Sequence, residues 1–406
     1  MRRRPRRAGA ARLLAAAAAL ALAACVQHPP VSVTEGGMVM TLIPVGFDRL
    51  PGWPDEKPAE ALPAFLAGCA EIARNPDDAL GGAGEAASRG GSPFQWRDAC
   101  DAARTLPAGD DAARAFFQTY FQPWAITGNG TPNGLFTGYY EPEVRGARSP
   151  GGAFVTPLLG RPTDMVQADL GAFTPDLKGR RITGRLEQGR LVPYWDRAAI
   201  EAGALDRQRL GILWLADPID VFFLHIQGAG RVRLPDGRVV RVSYAGQNGR
   251  PYVPIGRVLA DRGQIPLEQV SLQSIRAWLE AHPAEAAEVM NQNPSYVFFR
   301  EIIGVRPEEG PPGALGAPLT PGRSVAVDRS FIPLGAPLWV DTIDPVTGNR
   351  LQRLMMAQDT GGAIKGPVRA DLFWGWGAEA EEKAGKMHQP GADFILLPRS
   401  VRAASN

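Results

Sequence analysis

The stretch that most constrains this chain runs from Leu354 to Trp374. An apolar run, Leu354-Met355-Met356, delivers Asp359 to a glycine-hinged turn, Thr360-Gly361-Gly362-Ala363-Ile364-Lys365-Gly366. The chain then returns with a second carboxylate, Asp371, ahead of Leu372-Phe373-Trp374. The pattern predicts strand, turn and strand, with an acid at either end and aromatics alongside. Such a unit suits acid–base work on a polymer, because glycine removes the side chain that would block a close backbone approach. A poor leaving group in such a polymer must receive a proton as its bond breaks. A free Asp, with a pKa of about 3.9, carries that proton at neutral pH only if desolvated or crowded by negative charge. Leu372, Phe373 and Trp374 could supply the first condition, and Asp359 or Asp328 the second. The competing reading is that both Asp side chains only bond amides of the glycine turn.

The first residues give an address. Arg2, Arg3, Arg4, Arg6, Arg7 and Arg12 form a positive region before an apolar run from Leu13 to Ala24. That run is too short to span a bilayer comfortably, so residues 1–24 read as a signal peptide. The end, Leu22-Ala23-Ala24-Cys25, resembles a bacterial lipobox, in which Cys25 is lipidated and becomes the mature N-terminus. The alternative is an ordinary signal cleaved nearby. Val26-Gln27, with no Asp in second place, resembles outer-membrane sorting, on the periplasmic face in a Gram-negative bacterium. The formal net charge is +2, and the signal holds six Arg and no acid, so the mature chain is near −4. That balance excludes nucleic-acid binding by global charge. Cys69 and Cys100 remain, and in an oxidising periplasm they are expected as a disulfide, with two buried free thiols as the alternative.

Even without residues 1–24 the chain exceeds what one core usually serves, so two domains are expected. The 47 Gly and 37 Pro are spread throughout, a turn-rich habit that suits β-structure. Residues 25–55 read as a tether that docks onto the domain. Leu62, Phe65, Leu66, Cys69 and Ile72 recur at helical spacing, and Asp110-Asp111 favour a helix start before Ala112–Phe121. Residues 56–135 are therefore expected as a helical part of the main domain. From Phe136 the texture changes to short strands, Leu135–Tyr140, Ile219–Ile226 and Arg238–Tyr244, with Pro235-Asp236-Gly237 as a hairpin turn. Ile255–Arg262 and Leu272–Glu280 read as helices. β-Patterning returns at Ser295–Phe299, Ser324–Asp328, Leu338–Asp341, Arg353–Gln358 and Phe394–Leu397. The expected class is mainly β with peripheral helices (α+β), with an inserted β domain over 136–250 and the rest of the main domain over 251–398.

Several motifs carry chemistry. Phe136-Thr137-Gly138-Tyr139-Tyr140 offers Thr137 and Tyr139 to a sugar groove, by hydroxyl bonding and ring stacking, or else is a strand with buried aromatics. Gln227-Gly228-Ala229-Gly230 pairs an amide with glycines that let a ligand approach; it lacks the Gly-Lys-Ser/Thr of a phosphate loop. Ser243-Tyr244-Ala245-Gly246-Gln247-Asn248-Gly249 ends similarly. In Asp328-Arg329-Ser330, Asp328 closes an apolar strand, as half of a structural Asp–Arg pair or as a neighbour of the active carboxylates. The four His are dispersed without an His-x-x-x-His arrangement, so no metal or cofactor is expected.

Taken in order, Phe-Thr-Gly-Tyr-Tyr, Gln-Gly-Ala-Gly, Ser-Tyr-Ala-Gly, Asn293-Pro294-Ser295, Asp-Arg-Ser and Asp-Thr-Gly-Gly-Ala-Ile-Lys-Gly make the chain from about Phe136 to Pro398 resemble the membrane-bound lytic transglycosylase A (MltA) family. The last segment also resembles the 3D domain, over about 320–398, whose three aspartates fit Asp328, Asp359 and Asp371. The resemblance implies a double-psi β-barrel, a second inserted β-barrel and a groove between them. It implies cleavage of peptidoglycan glycan strands to 1,6-anhydromuramic ends by one catalytic Asp, which motif matching puts at Asp371, with Asp359 and Asp328 as neighbours. It further implies Thr137, Tyr139, Gln227, Gly228, Gly361 and Gly362 at the substrate. The implied partners are glycan strands, the outer membrane through a lipid anchor, and proteins of wall synthesis or division; the chain is expected to be a monomer. Two rival readings stay open: a muramidase using a second carboxylate, Asp359 or Glu141, and a non-catalytic wall-binding lipoprotein.

Overall fold

The computed structural model describes residues 30–74, 90–177 and 180–400; residues 1–24, expected as a signal peptide, and Cys25, expected to be lipidated, lie outside them. In chain order the first elements are β1 (Val31–Glu35), β2 (Met38–Pro44), α1 (Leu62–Arg74), α2 (Pro93–Arg104), α3 (Asp110–Tyr120), β3 (Phe121–Gly128) and β4 (Gly134–Glu141). A central group follows: β5 (Glu143–Ala147), β6 (Thr156–Leu159), β7 (Met165–Asp169), β8 (Arg181–Glu187), β9 (Arg190–Pro193), α4 (Arg197–Glu201), β10 (Gly211–Leu215), α5 (Pro218–Gln227), β11 (Ala229–Arg233) and β12 (Val239–Gln247). The last group is α6 (Ile255–Asp261), α7 (Leu272–Ala281), α8 (Pro283–Asn291), β13 (Val297–Glu301), β14 (Ser324–Val327), β15 (Pro337–Ile343), β16 (Arg350–Asp359), β17 (Arg369–Trp376), α9 (Ala378–Lys386) and β18 (His388–Pro398).

Two barrels organise these strands. In the first, β18, β15, β16, β14, β17 and β4 follow one another, and β4 returns to β18 to close the ring. The pairs β14–β16 and β17–β4 are parallel and the others antiparallel. β18 is long enough to serve two neighbours on one flank: its first residues pair with β4 and its last with β3. β3 carries β2 and then β1 outward. Residues 31–44, within the expected tether of 25–55, thus contribute a hairpin to this sheet. Its alternation is visible in hindsight, since Val33, Met40 and Leu42 are buried while their neighbours are not.

The second barrel runs β13-β12-β11-β5-β10-β6, and a parallel bridge between Gly160 and Phe299 joins its two ends. β6 and β13 thus meet at a single residue pair and not along a ladder. Its strand β13 comes from beyond residue 250, the expected limit of the insert, because α6, α7 and α8 are an excursion between two adjacent strands. β7, β8 and β9 form a separate three-stranded sheet.

The helices α1 to α3 pack on the first barrel around Phe65, Trp96, Phe116, Phe117 and Phe121, whose rings meet edge to face. Cys69 and Cys100 are disulfide-bonded and tie α1 to α2. In the chain-entropy model a bridge over 31 positions contributes about 3–4 kcal/mol.

One expected strand, Ile219–Ile226, is helix α5. Asp217 caps its start by accepting from the Ile219 amide at 2.8 Å, Pro218 occupies the first turn, and Gly228 ends it at φ 76°. The sequence conceals this helix because it is buried nearly all round. Val221 and Leu224 enter the core of the second barrel, while Ile219, Phe222 and Phe223 pack on α6, α7 and α8. Apolar residues on every face erase the helical period.

Candidate active site

The site lies on the outer face of the first barrel and follows from strand register. Asp371 on β17 pairs with Ala326 on β14 and with Thr137 on β4. On the far side of β14, Ala326 pairs with Asp359 on β16. Asp359, Ala326, Asp371 and Thr137 therefore form one row across four adjacent strands, the two acids two strand spacings apart, roughly 10 Å between backbones. The row depends on a bulge. Val325 pairs with Ala357, yet the next residue, Ala326, pairs with Asp359, so Gln358 is the extra residue. Without it Asp359 would face away from Asp371. Gln358 is instead buried and anchored, accepting from Ser324 Oγ at 2.6 Å and donating to the Ala64 carbonyl at 2.8 Å.

Apolar packing surrounds the row. Tyr139, Leu319, Ala326, Ile364 and Phe373 form a buried cluster beside it. Burial raises Asp371 above the ordinary carboxylate range, opposed by the nearby Arg369 charge and by the Thr137 hydrogen bond. Burial pushes Asp359 up to about 6, against hydrogen bonds from the Thr360 and Ala314 amides and from Tyr139, with the Asp371 charge adding to the rise.

The two acids differ in what their oxygens do. Asp359 is engaged at both: Oδ1 accepts from the Ala314 amide at 2.9 Å and Oδ2 from the Tyr139 hydroxyl at 2.9 Å. Asp371 Oδ1 accepts from Thr137 Oγ1 at 2.7 Å, and among the described residues nothing bonds its Oδ2. Asp371 is thus the carboxyl with an oxygen free to exchange a proton.

The remaining expected residues divide. Asp328 is buried and accepts from the amides of Ser330 at 3.0 Å and Gly366 at 2.9 Å. It pins the return of the glycine turn and makes no hydrogen bond to either acid. Tyr139 is packed on Phe373 with its hydroxyl on Asp359, which corrects the expectation of a ring open for stacking on a sugar. Gln227 accepts from the Tyr140 amide at 3.0 Å, and Gly228 caps α5. Gln227 thereby ties α5 to β4, while Gly228 serves only to end the helix. At Gly361 an added side chain would meet Ile364 of its own turn at 2.8 Å, whereas at Gly362 the nearest atom is Gln247 Oε1 at 4.0 Å. A side chain at Gly362 would thus stand in van der Waals contact with Gln247, which the second barrel presents to the glycine turn.

Glu141 is excluded from chemistry by its surroundings. It is fully buried, and Arg231 Nε, Arg241 Nε and Arg241 Nη2 donate to its oxygens at 2.8–2.9 Å. Arg231 also stacks over Trp376, 3.9 Å from the ring centre. This cluster fastens β4 and β17 of the first barrel to β11 and β12 of the second.

Three contributors were missed by the sequence reading. Arg369 Nη2 donates to Thr137 Oγ1 at 2.9 Å. The Ala314 amide reaches Asp359 from a loop 45 residues upstream. Tyr252 is partly exposed, and its acidity is suppressed, pushed up to about 12, by burial and by the Asp371 charge. Its setting, Arg250-Pro251-Tyr252-Val253-Pro254, was the only usable signal, an aromatic held between prolines in a loop. Among the described residues no group of three or more His, Cys, Asp or Glu gathers as a metal site, and no helix is long and apolar enough to cross a membrane.

Comparison with known proteins agrees with this architecture. The MltA specific insert domain matches residues 135–300 and the 3D domain matches residues 323–397. The membrane-bound lytic murein transglycosylase A of Escherichia coli (strain K12) is 35% identical over 301 residues, covering 72% of this chain and 73% of that one. The crystal structure of MltA from Neisseria gonorrhoeae in its monoclinic form is 39% identical, with a TM-score of 0.72 over 92% of this chain and 96% of that one. E. coli MltA with bound chitohexaose is 28% identical, with a TM-score of 0.62 over 92% and 95% of the two chains. On its paired barrels, its ordered motifs and these likenesses, the chain belongs to the MltA family of membrane-bound lytic murein transglycosylases.

Proposed function

We propose that this chain is a peptidoglycan lytic transglycosylase that works with a single carboxyl group, Asp371. The observation that carries the reading is the contrast between the two buried acids: both oxygens of Asp359 are engaged, and Asp371 keeps Oδ2 free in a desolvated setting. In the first step Asp371 donates its proton to the oxygen linking N-acetylmuramic acid to N-acetylglucosamine, and the bond from that oxygen to C1 of the muramic residue breaks. C1 takes on oxocarbenium character. In the second step the C6 hydroxyl of the same sugar attacks C1, and its proton passes to the Asp371 carboxylate, which restores the acid. No water is added, and the product carries a 1,6-anhydro ring. One residue can serve both steps because the nucleophile is tethered to the reacting centre, which removes the entropy cost of capturing a second molecule. Asp359, Tyr139 and the Ala314 amide hold the glycine turn beside this centre, and Gly362, Gln247 and Tyr252 border the groove for the glycan. The chitohexaose held by the E. coli relative supports a β-1,4-linked aminosugar chain as the ligand class. The lipid anchor at Cys25, the outer-membrane location and any recruiting partner belong to the same proposal.

The test is mass spectrometry of the products released from purified peptidoglycan by the chain lacking residues 1–25, beside Asp371→Asn. Products one water lighter than hydrolytic ones, absent with the variant, are the expected result. Reducing-end products would make the protein a hydrolase, and no products from either chain would make it a wall-binding protein.

A further inference from the structure

We infer that Arg369, acting through Thr137, dictates which oxygen of Asp371 carries the catalytic proton. The inference rests on the single-acid reading above and is absent from the motif pattern that led to it. Arg369 stands two residues before Asp371 on β17, so both side chains emerge on the same face. Its Nη2 donates to Thr137 Oγ1 at 2.9 Å, and Thr137 Oγ1 lies 2.7 Å from Asp371 Oδ1. A guanidinium has donors only, and a hydroxyl has one proton. Arg369 takes one lone pair of the Thr137 oxygen, and among the described residues the hydroxyl's own proton has one acceptor, Asp371 Oδ1. Oδ1 is then reserved as an acceptor in both protonation states, and the acid proton belongs on Oδ2, the oxygen that no described residue engages. After the glycosidic bond breaks, the same bond from Thr137 stabilises the carboxylate while Oδ2 waits to receive the proton from the sugar hydroxyl.

Arg369 is held for this task by further bonds to the carbonyls of Ala370 at 2.7 Å and Leu135 at 3.3 Å. Its charge and the Thr137 bond both oppose the rise in Asp371 that burial imposes. The other titratable groups around the acid are Asp359 on β16, Tyr139 on β4, Tyr252 on the segment from the second barrel, and His388, opposite Thr137 on β18; β14 faces it with Ala326. All of these remain in the variants below, so they form a constant background. Arg369 is a positioning residue: it touches Thr137 and never the reacting atoms.

The experiment is the pH profile of kcat/KM on peptidoglycan for Arg369→Met, Thr137→Val, Thr137→Ser and the Arg369→Met/Thr137→Val double variant. Removing either the charge or the hydrogen bond disfavours the carboxylate, so the limb on which activity falls with rising pH should move to higher pH in both single variants. Thr137→Ser, which keeps the hydroxyl, should retain the parental limb. Loss of a positioned proton should lower kcat/KM on the order of tenfold to a hundredfold in Arg369→Met and Thr137→Val. Because Arg369 acts on Asp371 both directly, by its charge, and through Thr137, the double variant's limb should shift by less than the sum of the single shifts, the shortfall being the part carried through Thr137. A lower rate with the parental profile in Arg369→Met would overturn the inference, as would shifts that add in full. If Arg369→Met does not fold, the pair Thr137→Val and Thr137→Ser decides alone, and a parental profile in Thr137→Val overturns the inference. Retained activity in Asp371→Asn would instead remove the single-acid reading on which this inference stands.

Discussion

Asp393 should make this protein lose stability as pH rises through the neutral range. It sits on β18 opposite Val340, on the same strand face as Ile395, whose partner on β15 is Leu338, so its carboxyl points into the first barrel. It is 1% exposed, and neither oxygen has a hydrogen-bond partner among the described residues. Burial pushes it up to about 8. The unfolded chain has an Asp pKa of about 3.9, so between roughly pH 4 and 8 the folded state holds a proton that the unfolded state has released. The state that binds more protons is favoured by acid, so folding stability falls as pH climbs through that window and levels off above it. Four pH units at about 1.4 kcal/mol each give roughly 5 kcal/mol as the ceiling of the loss. Asp393→Asn keeps the shape and removes the titration. Urea unfolding of both chains at half-unit steps from pH 4.5 to 8.5 should show the parent's unfolding free energy falling relative to the variant's, by about a few kcal/mol in total. Parallel curves would refute the reasoning, because they would mean that Asp393 ionises in the folded protein as readily as in the unfolded one.

Other outcomes follow from the same geometry. Glu141→Gln leaves Arg231 and Arg241 buried without their counter-charge and should cost about 3–5 kcal/mol, read as a lower thermal midpoint of the purified protein. Opening the Cys69–Cys100 bridge with a reductant, or by Cys69→Ser with Cys100→Ser, should lower stability by about 3–4 kcal/mol in the same assay, with an unchanged product spectrum. Asp359→Asn should slow cleavage on the order of tenfold to a hundredfold while products keep their anhydro ends, because Asp359 shapes the turn without exchanging protons; complete loss would favour a second catalytic carboxylate.

Much of this was legible in the residues. Cys69 and Cys100 stood alone in a long stretch of chain, and a disulfide followed from the compartment. Alternating apolar residues placed β4, β12 and β14 to β16 near their observed bounds, and helical spacing placed α1, α3, α6 and α7. Motif order gave both barrels and the candidate acid. What failed did so for definable reasons. Helix α5 is buried nearly all round, so its sequence shows no period at all. Residues 31–44 do alternate, but a hairpin on the outer flank of a sheet has too few buried positions to stand out.

The sequence by itself determined which groups are present: two carboxylates around a glycine turn, a threonine between aromatics, and an arginine two residues from the acid. Tertiary structure decided how they meet. A single bulge at Gln358 turns Asp359 toward the row that holds Asp371 and Thr137, and register is a relation between strands that no local pattern encodes. The same assembly sends the Ala314 amide and the Tyr139 hydroxyl to Asp359, buries Glu141 between two arginines, and, among the described residues, leaves one oxygen of Asp371 unengaged. The physical reason is that proton chemistry depends on burial and on which lone pairs are already taken, and both are set by residues far apart in the chain.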